Sequence, residues 1–168
     1  NGLVDCADPQ CMGTADCPNE CQAIAPIACG DSVTVELGSD DSTSNVGFWA
    51  CSLEQWPGPE SAWKFSWPNP ADVTITAKNA PEGIQLMRAD DPAGIGCLPA
   101  FCTEANETQL SFASDPTSAY WIIVESDGKA SGSLELEVAC QECVSNCTGK
   151  LCGADGCGGS CGSCYGGK

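Results

Sequence analysis

Hydrophobic and polar residues alternate with a period of two along the middle of this 168-residue chain. The alternation is clearest at residues 33–37, 73–77 and 134–138, where an apolar side chain occupies every second position and Thr or Glu stands between. Because successive side chains of a β-strand point to opposite faces, each segment predicts a strand with one buried face. Shorter apolar segments bounded by turn-forming residues predict further strands at residues 48–52, 63–67, 84–87, 110–112 and 119–125.

No segment has a convincing helical period, so strands account for the whole predicted fold. About eight short strands within one segment are typical of two sheets packed against each other. We therefore predict an all-β chain, a jelly-roll-like antiparallel β-sandwich of about eight strands with small disulfide-rich segments at both termini.

The 15 cysteines and the absence of histidine limit both the compartment and the chemistry. Cysteine at this density is typical of secreted proteins held by disulfides, so we predict an extracellular or cell-surface location. Without histidine the chain lacks the commonest general base and the commonest transition-metal ligand, so we predict that it is not an enzyme. An odd count leaves one cysteine unpaired or bonded to another molecule.

The cysteines divide the chain into an Asp/Cys-rich N-terminal knot at residues 1–28, the β-sandwich at 29–140 and a six-cysteine, Gly-rich C-terminal knot at 141–168. The first group is Cys6, Cys11, Cys17 and Cys21. The middle group is Cys29, Cys51, Cys97, Cys102 and Cys140, in which Cys97 and Cys102 are predicted to form a local disulfide. The last group is Cys143, Cys147, Cys152, Cys157, Cys161 and Cys164.

Charge narrows the range of partners. The chain carries 23 acidic and 6 basic side chains, a net charge of -17. Such a chain repels the phosphates of nucleic acids and anionic membrane surfaces, so neither is predicted as a partner, whereas cations are favoured. No apolar run reaches the roughly 20 residues that a membrane-spanning helix needs.

A series of short motifs runs through the middle region in a recognisable order. They are Cys29-Gly30-Asp31, Gly58-Pro59-Glu60, Trp63-Lys64-Phe65, Asp72-Val73-Thr74-Ile75, Ile84-Gln85-Leu86-Met87, the pair Cys97 and Cys102, Tyr120-Trp121-Ile122-Ile123-Val124-Glu125, and Gly132-Ser133-Leu134. With these motifs, residues 29–140 resemble a bacterial pre-peptidase C-terminal domain, in the divergent cysteine-containing form found in secreted proteins of myxobacteria and their relatives. The resemblance implies a bacterial accessory domain and supplies no catalytic residues.

The two flanks resemble modules found beside such domains. The segment from Asn1 to Cys11 is similar to the end of an aspartate-rich repeat whose preceding acidic half is absent from this sequence. The segment from Cys143 to Cys164 is similar to a six-cysteine, glycine-rich module of secreted bacterial proteins. Neither resemblance supplies catalytic residues.

Two arrangements suggest metal ions. The pairs Cys140/Cys143 and Cys161/Cys164 have the spacing of a four-thiolate zinc site, but further cysteines lie between them and an oxidising compartment converts such thiols to disulfides. Calcium, which takes oxygen ligands, is the metal that this acidic chain favours, and no other cofactor is predicted. The candidate calcium ligands, all of which also suit turns, are Asp5, Asp8, Asp40, Asp41, Asp90 and Asp91.

Tryptophans are concentrated between residues 49 and 67. Flat aromatic rings stack on sugars, so a polysaccharide is a partner to consider. Alternation places Trp63, Phe65 and Trp67 on one face of a strand, where they would fill the core. That leaves Trp56, in a loop, as the candidate carbohydrate-binding residue.

The leading hypothesis is a non-enzymatic secreted or cell-surface protein with a structural or adhesive role. It would be a disulfide-stabilised subunit of an extracellular filament, appendage or matrix, which associates with itself or with other extracellular proteins. An edge strand could pair with a neighbour, and the cysteine-rich ends could lock the contact. The alternative is an accessory domain of a secreted hydrolase that binds polysaccharide.

Overall fold

The computed structural model describes residues 23–38, 46, 49–91, 96–142, 144, 146–150, 152–153 and 160–162. Within them the chain forms nine strands and no α-helix, which confirms the predicted all-β class. No helix in this part of the chain is long and apolar enough to cross a membrane. The strands are β1 (Ala23–Ile27), β2 (Ser32–Glu36), β3 (Ser61–Phe65), β4 (Ala71–Lys78), β5 (Ile84–Asp91), β6 (Cys102–Asn106), β7 (Gln109–Ser114), β8 (Ala119–Ser126) and β9 (Ser133–Glu142).

The strands form two sheets that pack face to face. One sheet has five strands in the order β1-β3-β8-β5-β6, and the other has four in the order β2-β9-β4-β7. Neighbouring strands run antiparallel except β1 and β3, which run parallel. The predicted jelly-roll-like antiparallel sandwich is confirmed, with one parallel strand added at an edge.

Most of the predicted strands are present, and the exceptions have physical causes. The three alternating segments lie in β2, β4 and β9, and four of the shorter apolar segments lie in β3, β5, β7 and β8. The strand predicted at residues 48–52 is wrong for its described part, because residues 49–52 form a turn in which the Ser52 N–H donates to the Trp49 carbonyl at 3.0 Å. Phe48 lies outside the described residues.

Two strands, β1 and β6, were not predicted from the sequence. β1 has the sequence Ala-Ile-Ala-Pro-Ile, of which only Ile27 is buried, so it carries almost no alternation of burial. It lies in the segment assigned to the N-terminal knot, yet it pairs with β3. β6 has the sequence Cys-Thr-Glu-Ala-Asn, which lacks an apolar face, and it occupies an edge of the five-stranded sheet. Edge strands are held by backbone bonds and need little side-chain burial.

The main core lies between the two sheets. The alternating apolar residues of β4 and β9 contribute one wall, and Ile75 and Leu136 are both fully buried there. The other wall includes Phe65, whose ring meets that of Phe112 edge-on with centroids 5.9 Å apart. The Phe112 ring also contacts Tyr120 at 4.9 Å. Alternation therefore buries one face of each sheet, as a sandwich requires.

A second cluster covers the opposite face of the five-stranded sheet. Trp121 and Ile123 of β8 point into it, whereas their neighbours Ile122 and Val124 point into the main core. We call this cluster the outer core; its buried members are Val46, Trp49, Trp56, Ala62, Met87, Ala89, Cys97, Cys102, Trp121 and Ile123. Residues from the two connections before β3 and before β6 thus form a third layer over the sheet.

Disulfides tie these layers together. Cys29, after β1, is bonded to Cys140 of β9, and Cys51 of the third layer is bonded to Cys102 of β6. The predicted local disulfide between Cys97 and Cys102 is therefore wrong, because packing of the third layer brings Cys51 to Cys102 instead.

In the C-terminal segment Cys147 is bonded to Cys161. Two of the four sulfurs considered for zinc, those of Cys140 and Cys161, are thus engaged in disulfides. Three disulfides among the described residues are typical of proteins that fold in an oxidising compartment.

The chain enters and leaves the sandwich at opposite ends. β1 begins with Ala23 and runs to Ile27. Shortly after it, Cys29 is bonded to Cys140, which lies just before β9 ends at Glu142. The last residue of β9 therefore lies at the end of the sandwich where β1 finishes. We call this the exit end, and we call the end where β1 begins the entry end.

Removal of the Cys29–Cys140 disulfide should destabilise the sandwich strongly. The bond closes a loop with a sequence separation of 111, and the loss of its loop-closure entropy corresponds to roughly 3–5 kcal/mol. We expect the double variant C29S/C140S to lose this much free energy of unfolding in urea denaturation. The matched control is C147S/C161S, whose bond spans only 14 residues outside the sheets and should leave the sandwich transition unchanged. Equal losses in both variants would contradict this assignment.

Candidate functional site

Two buried glutamates lie side by side at the entry end of the outer core. Ser61 of β3 pairs with Val124 of β8, so the register places Glu60 beside Glu125 on the outer face. Glu60 is 1% exposed and Glu125 is fully buried. Sequence reasoning did not single out either residue, although Glu125 closes an uninterrupted apolar run in β8, where a charged residue is unexpected.

Hydrogen bonds fix the Glu125 carboxyl group in place. The Trp49 indole N–H donates to its Oε2 at 3.0 Å, and the Ser126 backbone N–H donates to its Oε1 at 3.2 Å. A side-chain hydrogen bond also joins it to Glu60. All of these groups belong to the interior, so the pair joins the third layer to β8 and β3.

The pKa of Glu125 is raised to about 9, mainly by burial; the negative charge of Glu60 also raises this pKa, whereas the bond from Trp49 lowers it. Glu125 therefore keeps its proton at neutral pH and can share it with Glu60. A pair of carboxyl groups is the chemistry of general acid and base catalysis, but such catalysis needs contact with a substrate. Because both side chains are buried, a substrate cannot contact them in this conformation, and the pair affects the stability of the fold.

A third buried acid lies at the other end of the outer face. Asp91 is 3% exposed, and its carboxylate accepts hydrogen bonds from the Trp121 indole N–H and the Gly96 backbone N–H, both at 3.3 Å. The Lys64 ammonium group lies 3.7 Å from it. This carboxylate thus has a cation beside it, whereas no lysine or arginine in the described part of the chain pairs with Glu125.

The predicted calcium ligands of β5 do not converge. Asp90 and Asp91 are successive residues of one strand and point to opposite faces. Asp90 pairs with Arg88, whose Nε lies 3.0 Å from its Oδ1, and it also accepts a bond from the Thr103 hydroxyl at 3.2 Å.

The described residues include no group of three or more side chains placed to hold a metal ion. The other candidate ligands, Asp5, Asp8, Asp40 and Asp41, lie outside the described residues, so calcium at those positions stays a prediction.

The environments of Trp56 and Trp67 differ from those that the sequence predicted. Trp56, the candidate for sugar stacking, is only 7% exposed, and its indole N–H donates to the Ser52 hydroxyl at 2.9 Å. So little of its ring is accessible that the structure argues against Trp56 as a stacking platform. Trp63 fills the main core as expected, but Trp67 is only partly buried against it. β3 ends at Phe65, so Trp67 lies beyond the strand alternation.

Two depressions lie at the two ends of the sandwich. The entry-end cleft, with a volume of about 610 Å³, is lined by the carboxylates of Glu54, Glu82, Glu107 and Asp127 and by no basic side chain. The backbone N–H groups of Lys129 and Ala130 donate to Asp127 and lower its pKa. The exit-end groove, with a volume of about 590 Å³, runs along the Cys29–Cys140 disulfide and Trp67. The cleft, which the largely buried Trp56 also lines, disfavours anionic ligands, whereas the groove holds the more exposed ring of Trp67.

Comparison with known proteins gives a likeness of fold. The pre-peptidase C-terminal domain of collagenase from Bacillus anthracis is similar with a TM-score of 0.45 and 13% sequence identity, covering 70% of this chain and 96% of that chain. It belongs to the class of domain that residues 29–140 resemble. No protein family description matches the chain, and no curated protein matches it. A likeness of this degree leaves the function open.

Stability should fall as pH rises because of Glu125. The folded chain holds this proton up to pH about 9, whereas the unfolded chain releases it near the ordinary value of 4.5. Between these values the unfolded state binds fewer protons, so raising the pH favours unfolding, by up to about 1.4 kcal/mol per pH unit. We expect urea denaturation between pH 5 and 9 to show this decline.

The variant Glu125→Gln isolates the cause. Its amide cannot ionise, so its stability should change less with pH than that of the native protein, although the loss of one acceptor lowers stability by a constant amount. The exposed Glu107→Gln variant is the matched control and should keep the native slope. An identical pH dependence in E125Q and the native protein would refute the assignment.

Proposed function

We propose that the chain is a non-catalytic structural module of an extracellular assembly, in which the sandwich is a rigid spacer between two cysteine-rich flanks. The observation that carries the proposal is the position of the Cys29–Cys140 disulfide. The covalent path from the N-terminal flank to the C-terminal flank runs through β1, this bond and the last residues of β9. The strands from β2 to β8 lie in the loop that this bond closes. Cys97 of the same loop is also disulfide-bonded, to a cysteine outside it, because the other four cysteines of residues 29–140 pair with each other.

Such a path suits a protein that carries tension between neighbours. A pull on the two flanks loads β1 and then the disulfide, and the core between the sheets does not have to resist it. The flanks contain ten further cysteines, listed above by group, which can continue the covalent path on either side. The odd cysteine supports a link to another molecule, because 15 sulfurs cannot all pair within one chain.

The mechanical half of the proposal can be tested by stretching a single molecule from its two termini. With the disulfide intact, no unfolding event should release the loop between Cys29 and Cys140. In C29S/C140S an event should appear that lengthens the chain by at most roughly 200 Å. The lost bond spans 111 residues, the intact Cys51–Cys102 disulfide bypasses 51 of them, and each extended residue adds about 3.3–3.6 Å. Release of that length from the oxidised native protein would show that the disulfide does not bypass the core.

The assembly half can be tested by intact mass without reductant and by sedimentation across protein concentration, with and without calcium. We expect covalent oligomers, or association that increases with concentration. Samples alkylated before purification are the control for disulfides that form after lysis. A monomer with one free thiol in the mass spectrum, together with a monomeric sedimentation profile under every condition, would overturn the proposal.

A second candidate is an accessory domain of a secreted bacterial hydrolase. The resemblance of residues 29–140 to pre-peptidase C-terminal domains supports it. A reading frame that continues from a catalytic domain into residue 1 would favour this candidate over the structural module. Its polysaccharide-binding version requires an accessible aromatic ring, which Trp56 does not provide.

A further inference from the structure

Trp67 differs from the other tryptophans of the chain. All five lie in the described residues, and Trp49, Trp56, Trp63 and Trp121 are buried, with exposed fractions of 7% or less. Trp67 alone is only partly buried and lines the exit-end groove. An aromatic ring left accessible beside a groove calls for a physical explanation, because burying it would have stabilised the fold.

The local sequence holds this ring in place. Trp67 is followed by Pro68-Asn69-Pro70, in which two pyrrolidine rings fix the backbone φ angles. The Asn69 side-chain amide donates to Glu142 Oε1 at 3.2 Å and ties this turn to the end of β9. Part of the ring rests against the main core. The ring is thus positioned before any ligand arrives, which lowers the entropic cost of binding.

The orientation of the ring determines what it offers. The indole Nε1 is buried and has no hydrogen-bond partner in the described structure. The donor is therefore turned away from solvent, and the accessible part of Trp67 is carbon surface. Such a surface takes part in stacking and not in directed hydrogen bonding.

The rest of the groove supplies hydrogen-bond acceptors. Its lining includes Glu137, Glu142, Ser32 and the Cys29–Cys140 disulfide. The Glu137 carboxylate is paired with the Lys78 ammonium group at 2.8 Å, and the Ser32 hydroxyl donates to Glu135 at 2.6 Å. Among the described residues of the lining, Glu142 is therefore the carboxylate that is not ion-paired. Carboxylates accept hydrogen bonds from hydroxyl groups and repel anions. The site therefore suits a ligand with a flat hydrocarbon face and many hydroxyl donors, and without negative charge.

We propose that the exit-end groove binds a neutral polysaccharide of β-1,4-linked pyranose units, with one sugar ring stacked on Trp67. In such a chain the ring substituents are equatorial, so each sugar presents axial C–H groups to an aromatic surface and directs its hydroxyls sideways, toward Glu142. This inference goes beyond the spacer role and does not depend on it.

Acrylamide quenching of tryptophan fluorescence tests the proposal on the native protein. Because the other four tryptophans are buried, quenching in the free protein should come mainly from Trp67. Cellohexaose and N-acetylchitohexaose are the probes, and at least one should reduce the quenchable fraction in a saturable manner. Failure of both probes to protect the fluorescence would overturn the proposal. Protection by hexalysine, abolished by salt, without protection by either sugar would assign the groove to a cationic peptide instead.

Variants test whether Trp67 forms the binding site. The affinity for the hexasaccharide that protects the fluorescence is measured by calorimetry. Trp67→Ala should weaken sugar binding at least tenfold, and Trp67→Phe, which keeps an aromatic face and loses only the inward donor, should weaken it far less. Trp56→Phe is the matched control and should bind with native affinity. Native affinity in W67A would refute the site. If W67A does not fold, Glu142→Gln serves in its place, and the proposal then requires a measurable loss of affinity in E142Q.

Discussion

The structure depends on one constraint, which is that β8 is buried on both faces. From Tyr120 to Ser126 no side chain of this strand is exposed. A two-sheet sandwich covers only one face of each sheet, so the outward side chains Trp121 and Ile123 need a cover of their own. The connections before β3 and before β6 supply it, and the Cys51–Cys102 disulfide fastens them together. The third layer is thus a consequence of the apolar sequence of one central strand.

That cover determines the behaviour of the buried acids. Once the layer closes, any carboxyl group on the outer face of β3, β5 or β8 loses contact with water, which disfavours its charged form. Asp91 lies beside the Lys64 ammonium group and two N–H donors, which compensate a negative charge. Glu125 lies beside a second acid, so retaining a proton avoids a buried pair of like charges. The same outer face therefore holds two acids whose charge is balanced in different ways.

The sequence allowed prediction of those features that depend on local periodicity. Residues 134–138 alternate because β9 buries one face, and the strand was found for that reason. Periodicity fails where burial comes from a third layer: residues 49–52 are apolar enough for a strand, yet Trp49 reaches the outer core from a turn. It also fails beyond a strand end, where Trp67 no longer follows the alternation of β3. The partner of Cys102 and the meeting of Glu60 with Glu125 arise from packing between distant segments, which spacing along the chain does not encode.

β1, the Cys29–Cys140 disulfide and the end of β9 form one covalent path between the two flanks. β1 contributes one buried side chain and a parallel pairing, which is slightly weaker per residue than an antiparallel one, so it adds little to the stability of the core. If β1 separates from β3 under load, the force passes to the Cys29–Cys140 bond, and the sheets enclosed by that bond remain folded. Under the proposed spacer role, force would therefore pass through β1, the disulfide and the end of β9 while the core and the third layer stay folded.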